Sequence, residues 1–70
     1  MPVGRYRIKD SATGLFLEEG RRIARTLPAG TVVKVDNEAL QGNQLVDVQW
    51  ENQRILMFTE DLRSRAEREP

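Results

Sequence analysis

The chain has no cysteine and no histidine. Without cysteine, no disulfide can staple the fold and no thiolate can act as a nucleophile or a metal ligand. Without histidine, the usual imidazole proton shuttle and the Cys/His zinc sites are excluded as well. Only carboxylates, hydroxyls, lysine and arginine remain for chemistry, so the sequence predicts no metal site and no cofactor.

Long hydrophobic runs are also missing. The first ten residues, MPVGRYRIKD, carry charge from Arg5 onward and contain no apolar run as long as a signal peptide or a membrane span requires. We therefore expect a cytoplasmic protein without membrane contact. At 70 residues a chain buries only ~60% of its unfolded surface. The prediction is one domain over residues 1–62, with a short helical or frayed tail at 63–70.

Charge is balanced in number but not in position. Residues 1–25 hold six basic and three acidic side chains, whereas residues 36–61 hold one basic and six acidic ones. Most of the basic residues are arginine, which suits bidentate contact with phosphate or carboxylate. The sequence pI of about 6.2 argues against a dedicated nucleic-acid binder. The candidate anion or nucleic-acid patch consists of Arg5, Arg7, Lys9, Arg21, Arg22 and Arg25.

Short alternating segments separated by turn formers predict an all-β chain. Tyr6 and Ile8 alternate with basic residues, as in a half-buried strand. The stretches DSATG and LPAGT predict reversals, the second with its proline at the second turn position, and 36–43 is the longest loop, tightened by Gly42 and Asn43. Thr59 is the predicted N-cap of a short helical turn. These features predict a small five-stranded antiparallel barrel closed by that turn. It is SH3-like or OB-like, and we expect the SH3-like form because an OB-like barrel usually needs more length for its five longer strands.

The clearest element is a hairpin over residues 45–58, LVDVQWENQRILMF. Its first arm alternates, so Trp50 either covers one end of the core or offers an aromatic contact at the barrel rim. A three-residue turn pairs Trp50 with Arg54, and a four-residue turn pairs it with Ile55. The second arm is apolar on both faces, which predicts that both faces are covered. The candidate protein-interaction surface is Trp50, Arg54, Ile55, Leu56, Met57 and Phe58.

Residues 21–65 resemble bacterial SH3 domains. The matching positions are Ile23, Leu27, Gly30, Thr31, Val33, Val35, Val48 and Leu62. The resemblance implies an SH3-like barrel; members of that family are commonly exported to bind cell wall or lie beside enzymes. The closing segment MFTEDLRSR also resembles the ends of KOW-type modules and other small SH3-like barrels, whose partners include RNA, ribosomal protein and larger subunits.

No catalytic constellation is visible in the sequence. Glu18 and Glu19 are adjacent, and neighbouring residues of a strand point to opposite faces, so they cannot work as an acid and base pair. We therefore expect a non-enzymatic protein-interaction module or assembly subunit that binds a protein partner or self-associates through the second hairpin arm. The alternative is a KOW-like nucleic-acid or ribosome-associated module that uses the N-terminal arginines.

Overall fold

The computed structural model describes residues 3–36 and 44–69. They form one curved antiparallel sheet of seven strands with one short helix, a half-barrel compatible with an SH3-like fold. The strand order is β3-β2-β6-β5-β4-β1-β7. The elements are β1 Gly4–Ile8, β2 Ala12–Glu18, β3 Arg21–Leu27, β4 Val32–Val35, β5 Leu45–Trp50, β6 Gln53–Phe58, α1 Thr59–Arg65 and β7 Ala66–Arg68.

The predicted number of five strands is wrong. The sheet has seven strands; both arms of the 45–58 hairpin are strands as predicted, and β7 forms where the sequence carries no strand signal. β7 lies antiparallel to β1, with Ala66 opposite Ile8 and Arg68 opposite Tyr6. Alanine and glutamate are weak strand formers, so pairing with β1 and burial of Ala66 impose the extended conformation.

The C-terminal segment is more ordered than expected. α1 continues to Arg65, so the expected boundary at residue 62 falls inside it, and the chain then enters the sheet as β7. Thr59 is the first helical residue instead of the N-cap; Phe58 holds that position without a side-chain cap. The Arg65 carbonyl accepts hydrogen bonds from the Lys9 and Asp10 amides at 2.7 and 3.2 Å, which fixes the end of the helix against the β1–β2 connection.

The core lies on the concave face of the sheet and beneath α1. Tyr6 and Ile8 point into it while Arg5 and Arg7 stay exposed, which confirms the predicted alternation of β1. Large side chains with less than 2% exposure fill its centre. They are Ile8, Leu27, Val33, Val35, Val48, Ile55, Met57 and Leu62.

Three tight turns connect strands that follow one another in the chain, namely β2 to β3, β3 to β4 and β5 to β6. Glu19 and Gly20 both have positive φ (51° and 76°), as a two-residue type I′ hairpin turn requires. The Thr31 amide donates to the Pro28 carbonyl at 3.2 Å, and Gly30 has φ 95°, so this is a type II turn with proline at its first position and not its second.

The β5–β6 turn differs from both predicted forms. Trp50 lies opposite Gln53, so the turn has two residues and its first, Glu51, takes a positive φ of 54°. The registers that paired Trp50 with Arg54 or Ile55 are therefore wrong. The predicted tightening of the long loop by Gly42 and Asn43 lies outside the described residues.

Candidate functional site

The two sides of β6 have different environments. Ile55 and Met57 are buried in the core, while Leu56 is half-buried and Phe58 is 42% exposed on the convex face. The four-residue apolar run is therefore covered completely on its inner side only. Its outer side is left open by the rest of the described chain.

Leucines of the adjacent strands extend this open apolar surface. Leu15 of β2 lies opposite Leu56, and Leu45 of β5 lies opposite Phe58. Leu17, two residues beyond Leu15 on the same side of β2, is 57% exposed, and Leu45 is 39% exposed. We call these five residues, Leu15, Leu17, Leu45, Leu56 and Phe58, the outer stripe. Contiguous exposed apolar surface of this kind marks interaction sites in soluble domains.

Trp50 lies on the other side of the sheet. Its ring meets Phe16 edge to face, with centroids 5.6 Å apart and planes at 89°. Such a pair contributes ~0.5–1.5 kcal/mol beyond area burial. Phe16 belongs to the buried core, and Trp50 packs against that core while remaining partly exposed. The interpretation of Trp50 as a cover for the core agrees with this packing.

Arg54 belongs to the convex face and binds an aspartate. Its two terminal nitrogens donate to the two carboxylate oxygens of Asp36 at 2.8 and 2.5 Å, a bidentate arrangement. The Arg54 hydrogen bond holds the pKa of Asp36 below its usual value, and the pair raises the pKa of Arg54. The six residues of the candidate interaction surface are thus divided between the core, its end and the convex face.

The six residues of the candidate basic patch fall into two groups. Arg5, Arg7 and Lys9 lie on or just after β1, and the other three lie on β3; four strands separate β1 from β3 in the sheet. Arg7 forms an ion pair with Glu67 at 2.5 Å, and Arg25 forms one with Glu18 at 2.7 Å. The Arg22 guanidinium donates to the Leu15 carbonyl at 3.3 Å. Nucleic-acid binding by these residues stays a prediction.

Sequence reasoning missed two sets of residues. Leu15 and Leu17 flank Phe16, so the letters LFL already showed a strand that is apolar on both faces, like ILMF. The second set is a pair: Arg5 of β1 lies directly opposite Lys34 of β4. No sequence signal announces this pair, because the two residues are far apart in the chain.

Comparison with family models, curated proteins and solved structures finds no match for this chain. Within residues 3–36 and 44–69, no three acidic side chains come together as a metal site would need. In the same part of the chain, no helix has the length and apolar character to cross a bilayer.

Proposed function

We propose that this protein is a non-enzymatic interaction module, an SH3-like barrel of the bacterial SH3 kind, that pairs with a second copy through the outer stripe. The observation that carries the proposal is the continuity of that stripe across β2, β6 and β5, with Leu17, Phe58 and Leu45 at 57, 42 and 39% exposure. Apolar surface removed from water contributes ~25 cal/mol per Å².

The small core favours a second copy as the occupant. A single core of this size rarely supplies more than ~3–5 kcal/mol, so covering five large apolar side chains on the convex face adds appreciably to the stability of the fold. Oligomerisation is one of the ways in which small domains supplement such a core.

The charges around the outer stripe suit a symmetric pairing. Arg22 of β3 lies opposite Leu17 on one flank, and Asp47 of β5 lies opposite Leu56 on the other. In a two-fold dimer the outer stripe of one copy packs against the outer stripe of the other. When the two-fold axis runs parallel to the strands, the β3 flank of one copy lies over the β5 flank of the other. Opposite charges then face each other on both rims.

Light scattering after gel filtration tests the proposal. We expect a dimer at ~100 μM, since a modest interface of this type has a micromolar Kd. Leu17→Lys and Phe58→Lys should each give monomers with an unchanged circular dichroism spectrum. Val3→Lys is the matched control, because Val3 is 47% exposed but lies outside the stripe, just before β1. A wild-type chain that stays monomeric at ~1 mM would overturn self-association.

A further inference from the structure

Two neighbouring cations on the convex face form no salt bridge within the described residues. Arg5 and Lys34 are direct cross-strand partners, and like charges in that position destabilise a sheet. Neither side chain forms an ion pair or hydrogen bond within the described residues, whereas other arginines do. The arginines with a carboxylate partner are Arg7, Arg25, Arg54 and Arg65.

A depression of about 240 Å³ adjoins this pair on the convex face of β1, β4 and β5. Cations line one part of it and the β5–β6 turn lines another, with valines between them. The Gln49 amide nitrogen donates to the Glu51 carbonyl oxygen at 3.3 Å, which fixes the Gln49 side chain at the turn. The lining residues are Arg5, Val32, Val33, Lys34, Gln49 and Glu51.

The acidic side chains around the depression are mostly committed elsewhere. Glu67 binds Arg7, and Asp36 binds Arg54. The backbone amide of Glu69 donates to the Arg5 carbonyl at 2.7 Å, but its side chain forms no ion pair with the described part of the chain. Glu51 is therefore the one carboxylate among the lining residues, at the opposite end of the lining from Arg5 in strand order.

We propose that the depression binds a small ligand with one phosphate or carboxylate group and one hydrogen-bond donor. Arg5 and Lys34 hold the anionic group through charge-assisted hydrogen bonds, and the Glu51 carboxylate accepts from the donor. An anion placed between the two cations also relieves their mutual repulsion. A long polyanion fits less well, because Glu51, Asp36 and Glu67 lie on the same face and repel further phosphates.

An NMR titration of the full 70-residue chain at constant ionic strength tests the site. The probes are inorganic phosphate, acetate and phosphoethanolamine, the last of which adds an ammonium donor to a phosphate. We expect saturable amide shifts confined to β1, β4 and β5, with millimolar Kd for phosphate and tighter binding of phosphoethanolamine. Tighter binding of acetate than of phosphate would assign the anionic group of the ligand to the carboxylates. Tighter binding of phosphate would assign it to the phosphates.

Variants assign the roles of the individual residues. Arg5→Gln and Lys34→Gln should each weaken binding of both phosphate probes about tenfold, since each loses one charge-assisted contact. Glu51→Gln should abolish the advantage of phosphoethanolamine over phosphate. Arg63→Gln, which removes an exposed arginine of α1, is the control and should change nothing. Dispersed amide spectra of each variant establish that it is folded.

Three outcomes would overturn this proposal. The first is the absence of saturable shifts up to ~50 mM phosphate, because a site with a millimolar Kd is nearly saturated at that concentration. The second is equal weakening by Arg63→Gln and Arg5→Gln, which would mean attraction to total charge alone. The third is equal affinity for phosphate and phosphoethanolamine in the wild-type chain, which would remove Glu51 as an acceptor.

Discussion

The inner and outer sides of β6 carry similar apolar residues, but the inner side is buried and the outer side is partly exposed. Ile55 and Met57 are at most 1% exposed, whereas Leu56 between them is half-buried and Phe58 is 42% exposed. The difference comes from what the chain lays over each side, because α1 and the curved sheet cover only the concave side. Hydrophobicity alone therefore does not tell which side of a two-sided apolar strand becomes core and which becomes a contact surface.

The largest expected effect comes from truncating the two sides of β6 separately. Ile55→Ala should lower the free energy of unfolding by ~2–5 kcal/mol, because it leaves a cavity in a close-packed core. Leu56→Ala should lower it by less than ~1 kcal/mol when measured on dilute monomer, since its side chain is only half-buried. Urea unfolding of both variants at low micromolar concentration provides the measurement. Equal losses would mean that the convex side is as well covered as the core.

A smaller effect is expected one residue beyond β6. Thr59 is 7% exposed, and its hydroxyl oxygen has no hydrogen-bond partner among the described residues. Thr59→Val keeps the shape and removes an unsatisfied polar atom, so it should raise the free energy of unfolding by ~1 kcal/mol. Thr26→Val, on the exposed part of β3, is the matched control and should stay within ~0.5 kcal/mol of wild type. Destabilisation by Thr59→Val would show that the Thr59 hydroxyl forms a hydrogen bond in solution.

The smallest expected effect on stability concerns the ion pair between Arg54 of β6 and Asp36. The pKa of Asp36 is held below its usual 3.8 by Arg54, so the folded state favours the charged carboxylate. The resulting stabilisation is present above pH 3.8 and is lost as the pH falls through the lowered folded-state pKa. Asp36→Asn and Arg54→Gln should both remove this part of the pH dependence of urea unfolding. A difference from wild type that persists unchanged at about pH 2 would contradict the assignment.

The alternation of apolar and polar residues along the strands, and part of the turn chemistry, could be predicted from the sequence. Val46 and Val48 face the core as their period of two requires, and the predicted reversal in LPAGT occurs where Gly30 permits a positive φ. The β5–β6 turn was not readable, because Glu51 adopts a positive φ that a non-glycine residue seldom takes and that its own sequence does not announce.

The candidate sites were readable only in part. The run ILMF identified the strand that carries the outer stripe, but it did not reveal that Leu15 and Leu45 lie beside it. The N-terminal arginines suggested one basic patch, whereas the sheet order places four strands between β1 and β3 and brings Lys34 beside Arg5 instead. Strand order depends on long-range pairing, which a local pattern does not encode.

The sequence by itself determined an all-β chain with no thiol or imidazole chemistry, because residue type and a period of two are local properties. The tertiary structure decided the rest: which apolar face is buried, which cations share a face, and that Ala66–Arg68 forms a strand. Those outcomes follow from the register and order of strands distant in the chain. They are fixed by the pairing that buries the most apolar surface while leaving backbone groups hydrogen-bonded, a property of the whole sheet.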